Sequence, residues 1–142
     1  MAFQWLDMRI GEERDRRERE AGIRERLPRG LDELHGTLAE CVAAYAGAFG
    51  PESAEIQFQQ GRIRILVREQ QNGKWEQRSR IEITTGTAPP AFRVDRGGEP
   101  YVVEAGLLPG DKMFYRDGDE YITLEELTRR ILDRAFFPKL TA

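Results

Sequence analysis

The chain contains one histidine, His35, and one cysteine, Cys41, the residue types that form base and nucleophile in cysteine-dependent enzymes. A thiol is activated when a base within hydrogen-bond reach takes its proton. The two residues stand six positions apart in a segment with helical periodicity, so they lie at different heights and on different sides of that helix. We therefore expect no catalytic dyad, with Cys41 as a small core residue and His35 on the helix surface.

A second group of residues has the chemistry of a cation site. Asp117, Asp119 and Glu126 have the spacing of oxygen ligands, and the segment resembles the second part of an EF-hand calcium loop. Two positions depart from that pattern: Tyr115 stands where the first Asp belongs, and Glu120 replaces the glycine of the sharp turn. An Asp-Gly turn followed by a capped helix explains the same residues. We expect no bound metal and no other cofactor.

The sequence contains no phosphate-binding Walker loop, no dinucleotide glycine fingerprint after a strand and no nucleophile elbow. Its acidic residues are numerous, but no pair stands out by position as an acid and a base. No catalytic residue is therefore assigned, and the pattern favours a non-enzymatic protein.

Basic residues alternate with apolar ones along a predicted hairpin. Residues 61–82 carry six basic and three acidic residues, a net charge of +3. The predicted basic face consists of Arg62, Arg64, Arg68, Arg78 and Arg80. This face is a possible nucleic-acid surface, although Trp75, the aromatic residue available for base stacking, is predicted on the other side of the sheet. A solvated face with cross-strand ion pairs is the alternative interpretation.

Apolar residues also cluster at the N-terminal end, ahead of a highly charged segment. The cluster consists of Phe3, Trp5, Leu6, Met8 and Ile10. Residues 12–20 are almost all charged, with acid-first pairs four apart that stabilise a helix, such as Glu12 with Arg16. Either the cluster folds back onto its own sheet or it docks on a second copy or another protein, since Trp and Met are common interface anchors.

Composition sets the broad class of the protein. The chain has 142 residues, 39% hydrophobic and 33% charged, with a net charge of -3. This length fits one domain, and the acidic balance does not favour general nucleic-acid binding. A single cysteine excludes an internal disulfide. Because no signal sequence is evident and the longest apolar run is too short to cross a bilayer, we expect a cytoplasmic protein without a membrane partner.

The elements follow from hydrophobic periodicity. Pro28 suits the first turn of a helix, and apolar residues recur from Leu27 to Tyr45 at spacings of three and four. Alternating strands follow from Ala54, and Thr123 begins a final capped helix. We predict an α+β fold: an antiparallel sheet of about five or six strands, a long N-terminal helix on one face and a short C-terminal helix. Residues 1–26 form a charged helical extension, and residues 27–142 a single domain.

Two loop lengths, and therefore two strand registers, can be considered for the central hairpin. A two-residue loop at Asn72-Gly73 places arginines opposite core residues, so a three-residue loop with Gly73 left-handed is predicted instead. That loop pairs Ile63 with Ile81, and Arg68 with Glu76.

The function predicted from sequence is a protein-binding or adaptor role, as a homodimer formed through the N-terminal helix or bound to another protein. One alternative is a nucleic-acid-associated protein that uses the arginine face. Another is a small-molecule-binding or catalytic domain with a pocket between helix and sheet.

Overall fold

The computed structural model describes residues 3–110 and 112–140. Residues 1 and 2 of the predicted extension, and residues 111, 141 and 142 of the predicted domain, lie outside the described residues. It contains helix α1 (Gln4–Phe49), strands β1 (Ala54–Gln59), β2 (Arg62–Gln71), β3 (Lys74–Thr87), β4 (Pro90–Asp95), β5 (Tyr101–Leu108), β6 (Lys112–Asp117) and β7 (Glu120–Ile122), and helix α2 (Leu124–Phe136). The α+β class, with a long N-terminal and a short C-terminal helix, is confirmed.

Helix α1 is one uninterrupted helix of 46 residues, where a charged extension and a second helix beginning near Pro28 were predicted. At about 1.5 Å per residue it is roughly 69 Å long. Pro28 lies inside it on the solvent side, so the carbonyl left without an N–H partner faces water. Buried Ile23 and Leu27 before it, and Leu31 after it, hold both halves of the helix against the same core. Packing therefore offsets the cost of the proline.

A single apolar stripe of α1 forms one side of the core. It consists of Ile23, Leu27, Leu31, Leu34, Leu38 and Val42. The facing side chains of the sheet include Ile63, Ile65, Val67, Ile81, Ile83, Phe92, Val94 and Val103, all 1% exposed or less. The part of this stripe from Leu27 to Leu38 was predicted; Ile23 extends it towards the N-terminus, whereas Cys41, also predicted in the stripe, is exposed and Tyr45 is half-buried.

The sheet has seven strands rather than five or six, in the order β1 to β7, each antiparallel to the next. The additional strand belongs to the C-terminal hairpin, where β7 has only three residues. Tyr115 pairs with Ile122 there, and both side chains are buried.

The predicted register of the central hairpin is wrong. Gln71 pairs with Lys74, so the loop is the two-residue Asn72-Gly73 turn, with φ +52° and +78°. Both central residues are left-handed, as in a type I′ turn. The conflict between faces is removed by a β-bulge: Val67 pairs with Ser79 but Arg68 with Gln77, so Arg78 is an extra residue. Beyond the bulge, Ile63 pairs with Ile83.

Helix α2 packs beside α1 on the same core through Leu127, Ile131 and Leu132. It begins as predicted, because the hydroxyl oxygen of Thr123 accepts a hydrogen bond from the Glu126 N–H at 3.1 Å. Between the helices, the hydroxyls of Thr37 and Thr128 are hydrogen-bonded at 2.7 Å.

No helix within residues 3–110 and 112–140 has the length and apolar character needed to cross a bilayer.

Two glycines of α1 provide a matched stability test. At Gly36 no atom lies within 4 Å of an added Cβ, whereas at Gly30 the Cβ would lie 2.8 Å from the Tyr115 hydroxyl. We expect Gly36→Ala to raise the free energy of unfolding by about 0.5–1 kcal/mol, the usual helix preference for alanine. Gly30→Ala is expected to lower it by about 1–3 kcal/mol through overpacking. Urea unfolding followed by circular dichroism measures both; equal effects of the two substitutions would contradict the close packing at Gly30.

Candidate functional site

The N-terminal end of α1 projects from the body and carries the predicted interface cluster, here called the tip. Phe3, Trp5, Leu6, Met8 and Ile10 are all exposed; Trp5 is 66% and Met8 67% exposed. They do not fold back onto the sheet. The tip also lacks a side-chain cap at its first turn, since Phe3 occupies the N-cap position.

The tip is apolar on two sides. At about 100° per residue, Phe3, Leu6 and Ile10 share one side of the helix. Trp5 and Met8 lie roughly opposite to them by the same geometry. Gln4, Asp7 and Arg9 lie between these two sides. The tip therefore presents apolar side chains to solvent in two opposite directions.

A charged stretch of α1, the shaft (residues 11–22), connects the tip to the body. Arg16 forms ion pairs with both Glu13 and Glu20, and Arg24 continues the series with Glu20 at 2.9 Å. Hydrogen bonds from Arg16 and Arg17 lower the pKa of Glu13 to about 2. Each exposed pair stabilises a helix only slightly. Because the pairs are linked along the helix, they support helical structure where no core is available.

The helix joins the body just beyond the shaft. Ile23 is the first buried residue, and the Arg24 guanidinium donates to the Thr87 carbonyl at 2.9 Å. Among the described residues, positions 3–19 make no hydrogen bond or ion pair outside α1. About 25 Å of helix thus stands clear of the domain.

The predicted arginine face is largely neutralised. Arg64 and Arg80 share Glu82, at 3.2 and 2.6 Å. The hydrogen bond from Arg80 lowers the pKa of Glu82. Arg68 pairs with Glu55 at 3.0 Å. These contacts match the alternative interpretation of a sheet face with ion pairs.

Of the five arginines, Arg62 alone has no ion-pair partner among the described residues, and Arg78 does not belong to the face at all. Arg78 donates to the Ala135 and Phe136 carbonyls of α2 at 2.7 and 3.1 Å, and to the Tyr45 hydroxyl at 3.3 Å. It therefore points to the helix-bearing side of the sheet. The bulge causes this placement, since the extra residue reverses the alternation that put Arg78 outside. Its Nε is buried and has no acceptor in the described chain.

Arg78 lines an open groove at the C-terminal ends of both helices, here called the aromatic groove. Its volume is about 510 Å³. It is lined by Tyr45, Phe49, Ser53, Arg68, Glu69, Gln70, Trp75, Arg78, Phe136, Phe137, Pro138, Lys139 and Leu140. Tyr45 and Phe136 stack with ring centroids 4.2 Å apart. Phe49 is 58% and Leu140 82% exposed, so the groove presents apolar surface to solvent.

The groove could not be read from the sequence because it joins three distant segments. Trp75 was predicted on the face opposite the arginines, yet it lines this groove together with Arg68 and Arg78. One sequence feature could have indicated an exposed aromatic surface here. Phe136 and Phe137 are adjacent at the end of α2, and an amphipathic helix can bury only one of two adjacent residues.

The acidic loop that resembles a calcium site is occupied by the protein's own cation. The Arg130 guanidinium contacts Asp117 at 2.6 Å, Glu120 at 2.9 Å and Glu126 at 3.2 Å. Asp117 also accepts a hydrogen bond from the Tyr101 hydroxyl. No cluster of metal-binding residues is found in residues 3–110 and 112–140. The carboxylates therefore hold β6, β7 and α2 together.

The cysteine and the histidine remain apart. Cys41 is exposed beside α2, so its assignment to the core is wrong. Desolvation raises the pKa of its thiol, and Glu40 and Glu125 add to the effect, which opposes a nucleophilic thiolate. His35 is half-buried, its ring 4.7 Å from that of Phe58. The two residues make no hydrogen bond to each other.

Arg78 and Arg80 form a matched pair of variants. Arg78→Met should lower the free energy of unfolding by about 1–3 kcal/mol, because the α2 carbonyls lose a charged donor. Arg80→Met removes only an exposed pair and is expected to change stability by less than about 0.5 kcal/mol. Thermal or urea unfolding of both variants checks this contrast. A similar small effect of both would contradict the anchoring role of Arg78.

Tyr101 offers a pH test of the acidic cluster. Burial, then the hydrogen bond to Asp117, raises its pKa from 10.0 to about 12. The folded state thus favours the protonated phenol, and this contribution to stability is lost as pH rises from 10 towards 12. Asp117→Asn should lower the pKa of Tyr101, since the nearby negative charge disappears and Arg130 then favours the phenolate. Tyrosinate absorbance measures the titration, with Tyr101→Phe to assign the signal.

Tyr115 is the internal control. Its pKa is also raised to about 12, first by burial and then by Glu33, and neither cause involves Asp117. An equal shift of both tyrosines in Asp117→Asn would contradict the local interaction.

Comparison with known proteins identifies no relative. No protein family matches the sequence, and neither a curated protein nor a solved structure is significantly similar to it. The geometry of the tip, the arginine face and the aromatic groove is therefore the basis for any function assigned to this chain.

Proposed function

We propose that the protein is a protein-binding module that self-associates through the tip of α1. The observation that carries this proposal is the position of Phe3, Trp5, Leu6, Met8 and Ile10, exposed at the end of a helix that stands clear of the domain. An exposed apolar cluster with polar surroundings is typical of an interaction site.

Energetics support burial of the tip in a complex. Fully burying one large apolar side chain stabilises by about 1.5–3 kcal/mol. Aromatic side chains such as Trp5 and Phe3 are among the most common anchors of protein interfaces, and Met adapts its shape to a partner. The tip has two ionised side chains, Asp7 and Arg9, and Arg9 already pairs with Glu12 at 2.9 Å, so docking of the apolar residues desolvates few charges.

The charge distribution favours a protein partner over a nucleic acid. Arg64, Arg68 and Arg80 are paired with carboxylates, and a phosphate backbone would have to compete with those partners. The one cation of the tip, Arg9, is paired with Glu12 at 2.9 Å. A second copy of the chain is the partner proposed, because two-fold homodimers are the commonest assembly of soluble proteins.

Substitution of Trp5 tests the proposal. The full chain is expected to have twice its monomer mass of 16.3 kDa, and Trp5→Glu is expected to be monomeric because a charge is placed in the apolar contact. Light scattering coupled to size exclusion measures both masses. Trp5 is not part of the core, so the circular dichroism spectrum should not change, and the unfolding temperature should equal that of the wild-type chain diluted to monomer.

Gln4→Glu is the matched control, since it adds the same charge at the adjacent position without removing an apolar side chain. It should remain dimeric. A wild-type chain that stays monomeric at millimolar concentration would overturn self-association, as would equal behaviour of Gln4→Glu and Trp5→Glu.

A further inference from the structure

We infer that the aromatic groove of one copy receives the tip of a second copy, so that two chains exchange tips in an antiparallel dimer. The inference rests on the proposed self-association and names the surface that receives the tip. Five observations lead to it: the distance between tip and groove, the two-sided apolar character of the tip, the chemistry of the groove, the charges, and the buried area.

The tip cannot reach the groove of its own chain. Both lie on α1, the tip at Trp5 and the groove at Tyr45 and Phe49. Forty residues of helix separate Trp5 from Tyr45, about 60 Å. Because α1 is continuous and Ile23 and Leu27 fix it to the core, it cannot fold back. Any occupation of the groove by a tip must therefore be between chains.

The groove matches the tip in shape and chemistry. Its volume of about 510 Å³ lies in the range that accommodates a few large side chains. Aromatic rings of Tyr45, Phe136 and Phe137 form one part of the lining, and Trp75 lies against Gly50 in another. A helix end inserted between these parts is covered on both apolar sides. A flat tip-to-tip contact would leave one of those sides in water.

The charges are complementary as well. The groove lies at the C-terminal ends of both helices; Arg78 already donates to the carbonyls of α2, so the negative end that remains is that of α1, whereas the tip is an N-terminal, positive end. Side chains add a second match: Lys139 at the groove and Asp7 at the tip have no ion-pair partner among the described residues. An exchanged tip brings this ammonium and this carboxylate to the same contact.

The buried area favours exchange over tip-to-tip pairing. Specific dimers bury about 1,200–2,000 Å² in total. An aromatic side chain buries about 150–250 Å², so two tips in contact with each other offer only part of this area. In an antiparallel dimer the tip-to-groove contact forms twice around the two-fold axis, and each contact also buries groove surface such as Phe49. The two contacts close the assembly without leaving a free tip.

The test uses two full-length variants, one in each surface. Trp5→Glu alters the tip, and Phe49→Lys alters the groove at a side chain that is 58% exposed. Each variant alone should weaken the dimer at least about tenfold in dissociation constant. Ala48→Lys, at the adjacent exposed position outside the groove lining, is the matched control and should dimerise as wild type does.

Mixing the two variants provides the decisive measurement. In a mixed dimer, the unaltered tip of the Phe49→Lys chain meets the unaltered groove of the Trp5→Glu chain. The other contact places Glu and Lys together, which are opposite charges. The equimolar mixture should therefore recover dimer, seen by sedimentation velocity with one variant fluorescently labelled, at a concentration where each variant alone is mostly monomeric.

The outcomes separate the inference from the function it rests on. Loss of the dimer in Trp5→Glu but not in Phe49→Lys would overturn the groove as the receiving surface and leave self-association through the tip intact. Loss in both without recovery in the mixture would also overturn the exchange. A monomeric wild-type chain would remove the proposed function and the inference together. Mass that grows beyond the dimer with concentration would show an open chain and contradict the closed pair.

Discussion

The structure depends on the packing of one apolar stripe of α1 against the sheet. From Ile23 to Val42 the stripe supplies, together with α2, the helical side of the core, and it passes Pro28 without a break. Packing on both sides of the proline holds a single helix where local preference favours an end. The direction of the projecting segment is consequently set by the core, which begins at Ile23, well beyond the exposed side chains from Phe3 to Ile10.

The one-residue β-bulge at Arg78 determines the chemistry of the surface at the C-terminal ends of α1 and α2. The bulge at Arg78 keeps Ile81 and Ile83 facing the core while allowing the tight Asn72-Gly73 turn. It also brings a guanidinium to the carboxyl end of α2, where carbonyl groups lack helical partners. The same guanidinium and the Tyr45 ring then form part of one groove. Strand register, helix capping and surface shape therefore have a common cause.

The sequence predicts those features that depend on neighbours along the chain. The stripe from Leu27, the capping of α2 by Thr123 and the alternation of the central strands were all recognised from spacing, and the structure contains them. Features that depend on distant segments were missed. Cys41 fits the helical period but faces the open side near α2, and Arg130 replaces a metal because three carboxylates converge on it in space. A β-bulge is not visible in the alternation of apolar and polar residues along one strand, so the predicted side of the sheet for Arg78 was wrong.

The unbroken helix also fixes the distance and the orientation between the tip and the core. Because tip and core share one helix, each residue between them fixes both a length of about 1.5 Å and a rotation of about 100°. Losing one residue from the shaft would turn Trp5 to a different side of the molecule while hardly shortening its reach. Losing seven would shorten the reach by about 10 Å and nearly restore the direction. Although most residues of the shaft are exposed, its length therefore determines the orientation of the surface at its end.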